Sequence, residues 1–165
     1  MNENTTNVTE EKISNYKTEL ERNGVLAFVP GGNSMWPILK NRGQSVIVMP
    51  KIEKLKRHDV ALYQRKDGAF VLHRVIEPKD YGYIICGDSQ YTLEKVYEDQ
   101  VFGVMSGFYR GKKYIECSDE KYKREVENWY GRKTRRKLRL NFFFFRQRVK
   151  NKLKRIFKKV FKRGK

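Results

Sequence analysis

The chain has 165 residues and a mass of 19.8 kDa, enough for one core of about 100 to 130 residues with appendages and too little for two ordinary enzyme domains. With 39% apolar and 34% charged residues, 4 Pro and 12 Gly, it is neither collagen-like nor uniformly disordered. The formal charge of +18 is unevenly spread: residues 1–130 hold 20 Lys+Arg against 19 Asp+Glu, whereas residues 131–165 hold 17 basic residues and no acidic one. A nearly neutral domain therefore carries a strongly basic tail, and the charge is not that of a chain built throughout to bind nucleic acid.

Two cysteines, Cys86 and Cys117, and two histidines, His58 and His73, do not make a zinc motif or a disulfide framework, so neither metal nor cofactor is expected and reduced thiols fit the cytosol. Met1 to Glu21 is polar and acidic, without an apolar run of signal-peptide length, and no stretch is apolar enough to span a bilayer. These features predict a cytoplasmic protein, for which the sequons at Asn4 and Asn7 carry no weight.

In chain order, Val8, Ile13, Tyr16 and Leu20 at helical spacing, closed by Asn23-Gly24, predict a short helix within residues 1–24. Short stretches rich in β-branched and aromatic residues then predict strands at Val25 to Val29, Ser45 to Met49, Val60 to Gln64, Ala69 to Ile76, Tyr83 to Cys86 and Val101 to Ser106. The turn signals between them, such as Pro30-Gly31-Gly32, Lys66-Asp67-Gly68 and Gly87-Asp88, suit an antiparallel, partly closed sheet over residues 25–118. A further hairpin is expected at Gly107 to Cys117, around Arg110-Gly111. Residues 119–165 read as a helical connector followed by a basic amphipathic helix of about 24 residues, with Leu138, Phe142, Phe145, Val149, Leu153, Ile156 and Val160 on one face. The fold class is thus mainly β with a helix at either end.

Three stretches carry chemistry. Ser34 sits in the turn Gly31-Gly32-Asn33-Ser34-Met35-Trp36-Pro37 after an apolar strand, where a hydroxyl can be exposed beside backbone N–H groups. His73 shares a strand face with Val71 and Val75, where a histidine needs a partner, and Arg74 points to the other face. Asp88 lies on the tight turn Cys86-Gly87-Asp88-Ser89-Gln90. Taken singly, each fits an ordinary role: a turn serine, a satisfied core histidine and an aspartate capping its own backbone.

Taken in order, Ser34-Met35-Trp36-Pro37, His58-Asp59-Val60, His73-Arg74-Val75-Ile76, Gly87-Asp88 and Val101-Phe102-Gly103-Val104-Met105 resemble the signal peptidase I superfamily, which includes the self-cleaving repressors. The resemblance covers about residues 25–106. It implies the sheet of that superfamily and a serine endopeptidase with Ser34 as nucleophile. A histidine at position 73 resembles the archaeal and endoplasmic-reticulum type, in which histidine replaces lysine as the general base. Asp88 is the first candidate to orient His73 and Glu94, six positions further on, the second. The resemblance also implies cleavage after a small residue.

The chain departs from the superfamily pattern in three places. Gly43-Gln44 stands where Gly-Asp is usual, His58 occupies a loop position normally given to glycine and reads as a surface residue, and Gly32 offers only backbone where some relatives place a hydroxyl. The expected partners are a leader or precursor peptide and, through residues 132–165, the anionic inner face of the membrane, where the protein would be peripheral; nucleic acid is the less favoured partner of the tail, and the helix of a partner protein is a third option. The rival functions are a repressor-like DNA-binding regulator and a non-cleaving peptide-binding module of the same fold.

Overall fold

A computed structural model describes residues 16–40 and 44–162, with side chains described through Arg155 apart from Lys133 and Gln147. Residues 1–15, 41–43 and 163–165, including Val8, Ile13 and Gly43, lie outside the described residues. The chain divides into two compact units, Met1–Val126 and Glu127–Lys165.

The first unit opens with helix α1, helical over residues 16–23, whose Leu20 is almost wholly buried. It ends as its sequence predicts: Gly24 takes φ +67°, a left-handed conformation that costs glycine nothing, and its N–H reaches the Leu20 carbonyl at 2.9 Å. Eight strands follow: β1 (Leu26–Phe28), β2 (Val46–Pro50), β3 (Val60–Gln64), β4 (Phe70–Lys79), β5 (Gly82–Cys86), β6 (Glu94–Tyr97), β7 (Val101–Arg110) and β8 (Lys113–Glu116). They form one antiparallel sheet in the order β1-β2-β7-β3-β4-β5-β6, with β8 also paired to β7, and the path does not close on itself.

Short turns set the registers that matter for the site. The turn after β3 pairs Tyr63 with Val71 and Ala61 with His73, and alternation then puts Ala61, Tyr63, Val71, His73 and Val75 on one face. That face holds a core cluster of Leu55, Ala61, Tyr63, Val75, Tyr83, Ile85, Val96 and Val101. Burial of each large side chain in it contributes roughly 1.5 to 3 kcal/mol. β4 extends three residues beyond its predicted end, through Pro78, across a register shift against β5 between Val75 and Glu77. The strand β6 was not predicted, because Val96 is its one buried side chain.

Helix α2 (Glu120–Gly131) starts in the first unit, where Tyr122 packs on Phe108 with ring centroids 5.6 Å apart. In the second unit, helix α3 (Lys133–Lys162) has 30 residues, more than the expected 24, and is about 45 Å long at 1.5 Å per residue. No described helix is long and apolar enough to cross a membrane.

Candidate active site

The turn carrying Ser34 is held from the opposite side of the sheet order by the turn after β5. Ser89 donates its backbone N–H to the Ser34 carbonyl at 2.8 Å and its hydroxyl to the Asn33 carbonyl at 2.7 Å. Gly87 permits this approach: a Cβ there would lie 2.9 Å from the Ser34 carbonyl oxygen and 2.8 Å from Gln90 Oε1. Within the serine turn, the Trp36 N–H donates to the Asn33 carbonyl and the Leu39 N–H to the Met35 carbonyl, while Met35, Ile38 and Leu39 are buried. Ser34 itself is half-buried.

Ser34 and His73 line the same cleft, of about 370 Å³. Its apolar wall includes Tyr16, Phe28, Val29, Phe70 and Val71, and its charged lining residues are Lys40 and Arg65. Gln44 lines it too. Tyr16 packs on both Phe28 and Phe70, at centroid distances of 5.3 and 6.1 Å.

The carboxylate at hydrogen-bonding distance from His73 is Glu94, whose Oε1 lies 3.2 Å from Nδ1. Glu94 pairs across β5 with Ile85, Ile85 with Val75, and His73 is two residues from Val75, so all four share one sheet face. Arg65 forks onto the same carboxylate, Nε to Oε2 at 2.7 Å and Nη2 to Oε1 at 2.6 Å, and Tyr63 donates its hydroxyl to Oε2 at 2.9 Å. The Tyr63 oxygen is also 3.4 Å from His73 Nδ1. Since its proton goes to Glu94, Nδ1 faces two acceptors and is the nitrogen that carries hydrogen, which leaves Nε2 as the basic one.

Burial holds the His73 pKa below its ordinary 6.5, against the opposing pull of the Glu94 charge, so the ring is neutral at pH 7. For Glu94, burial works upward, but the hydrogen bonds from Arg65 and Tyr63 and the Arg65 charge outweigh it and keep the carboxyl ionised below its ordinary range. Burial, the Glu94 charge and the bond to Glu94 push the Tyr63 phenol well up, so it remains a donor.

Asp88, the first candidate to orient His73, does something else. Both its oxygens accept from Arg74, from Nε and Nη2 at 2.7 Å each, and both side chains are wholly buried. Arg74 also donates through Nη1 to the His58 carbonyl at 2.7 Å and to the Tyr122 hydroxyl at 3.2 Å. The alternation of β4 explains the division: His73 turns to Tyr63 and Glu94, and Arg74 to the opposite face.

His58, expected on the surface, is half-buried at φ +79°, a left-handed conformation unusual outside glycine, and its backbone receives Arg74. Tyr63 and Arg65 escaped the sequence reading. The β3–β4 turn offered a signal, since the register it sets puts Tyr63 on the face of His73.

Cys86 is buried and Cys117 half-buried, and neither is in a disulfide; burial raises the Cys117 pKa to about 11. Among the described residues no cluster of His, Cys, Asp or Glu could hold a metal ion. Compared with protein-family models and with curated proteins, the chain matches none.

Proposed function

We propose that the protein is a serine endopeptidase that cuts a leader or precursor peptide by acyl transfer. The observation that carries this reading is the shared cleft of Ser34 and His73, with His73 Nδ1 engaged by the ionised Glu94. Ser34 Oγ attacks the scissile carbonyl carbon and its proton passes to His73 Nε2; as the imidazolium forms, Glu94 stabilises its charge and holds the tautomer. Backbone N–H groups of the Gly32 to Ser34 turn receive the developing oxyanion. The C–N bond then breaks, the leaving amine takes the proton from His73, and water repeats the sequence on the acyl-enzyme with His73 again as base.

The cleft favours a peptide substrate. Its apolar wall accepts side chains, and β1, which pairs only with β2 among the described strands, offers backbone groups to an extended chain. The resemblance to the signal peptidase superfamily adds the expectation of a small residue before the scissile bond.

Incubation of the purified chain with a library of peptides, read by mass spectrometry, tests the assignment. Ser34-dependent cleavage is expected, and both Ser34→Ala and His73→Ala should reduce it by about a thousandfold or more. Cleavage that survives either substitution removes the mechanism, and peptide binding without cleavage would favour a binding module.

A further inference from the structure

The second unit carries a surface that the peptide chemistry does not use. Leu138, Phe142, Phe145, Val149 and Leu153 of α3 are each between 42% and 65% exposed, high values for five large apolar side chains on one helix. At about 100° per residue they fall within an arc of roughly 80°, a continuous stripe over four turns. Ile156 and Val160 continue the spacing in the sequence; their side chains lie outside those described.

Cations border the stripe along both edges. By helical position Arg139 and Arg146 flank one side, with the Arg146 guanidinium 5.9 Å from the Phe142 ring centroid, and Arg148 and Lys152 flank the other. The helix holds 14 Lys and Arg and no carboxylate, so its charge is not neutralised from within.

We infer that α3 is a docking surface for anionic lipid, lying in the plane of the bilayer with this stripe in the acyl boundary. Charge complementarity and the apolar arc point to the same occupant. Anionic headgroups neutralise cations on either side of the stripe, while the hydrocarbon beneath them takes up the rings that water disfavours. A nucleic acid would satisfy the cations and leave the rings exposed. The inference is independent of the peptidase assignment.

Sedimentation of the full chain with vesicles tests it. With phosphatidylcholine vesicles containing about one-third phosphatidylglycerol, binding at physiological salt should be roughly tenfold or more tighter than with phosphatidylcholine alone. The double variant Phe142→Gln and Phe145→Gln keeps every charge and should bind the anionic vesicles roughly tenfold more weakly. If that variant loses helicity by circular dichroism, Leu153→Gln takes its place, with a loss of about threefold expected. The inference is overturned by equal binding to the two vesicle types, by stripe variants that bind like the wild type, or by tighter association with duplex DNA than with anionic vesicles.

Discussion

Glu94 Oε1 lies 3.2 Å from His73 Nδ1, although the two residues belong to strands separated by β5. This contact gives the imidazole its orientation, while the nearer carboxylate in sequence, Asp88, is spent on Arg74. The two acids therefore have separable roles.

Glu94→Gln should lower the cleavage rate by about a hundredfold or more with little change in melting temperature, because an amide can present its N–H to Nδ1 and favour the wrong tautomer. Asp88→Asn should act on stability instead. Breaking a wholly buried ion pair costs about 3 to 5 kcal/mol, a fall in melting temperature on the order of 10 °C or more. Thermal melts and kinetics on both variants check the division, and the reverse pattern would exchange the roles.

The pH profile carries its own signature. Because burial lowers the His73 pKa, the acid limb of kcat/KM should have its midpoint below 6.5 and be flat by neutral pH. Glu94 opposes that lowering, so Glu94→Gln should move the midpoint lower still. The same group affects folding. Well above pH 6.5 the imidazole is neutral in both states. As pH falls below that value the unfolded chain takes up the proton first, so stability declines until the folded-state pKa is passed. Denaturant titrations across pH 5 to 7 should show stability rising with pH.

Tyr63→Phe removes the hydroxyl that donates to Glu94 and touches Nδ1 while leaving the ring in the core. A fall in rate of about tenfold is expected, smaller than for Glu94→Gln, with roughly 1 kcal/mol of stability lost as the buried hydrogen bond goes. An unchanged rate would show that Arg65 alone holds the carboxylate.

Gly87→Ala should displace the serine turn while leaving the Ser34 and His73 side chains chemically unchanged. The new methyl group would press on the Ser34 carbonyl, a backbone atom that yields only if the serine turn moves. A loss of activity exceeding tenfold with a cost of about 1 to 3 kcal/mol is expected, measured as kcat/KM beside a thermal melt.

Most of the sheet was legible because its strands carry β-branched and aromatic runs bounded by Gly, Asp and Pro. The edge strand β6 was not, since Glu94-Lys95-Val96-Tyr97 has one inward apolar side chain and reads as a loop. That omission left Glu94 the second candidate behind Asp88. Proximity to Gly87 in sequence favoured Asp88, whereas the contact to His73 depends on two successive strand registers that no local pattern encodes. Arg74 could be assigned to the face opposite His73 from alternation alone, but its carboxylate partner could not. Ser34 and His73 were marked by the ordered motifs, and their common cleft is a product of the tertiary fold.

The adjacency of His73 and Arg74 makes the alignment of β4 an internal check on assembly. A one-residue slip would thrust the guanidinium among Tyr63 and its apolar neighbours, strand the Asp88 charge without a counterion and swing the imidazole away from the serine. Misaligned chains would thus be penalised twice, by a buried charge on each side of the sheet. On the proposed peptidase mechanism the same slip would also leave the chain inert, because His73 would leave the cleft that it shares with Ser34.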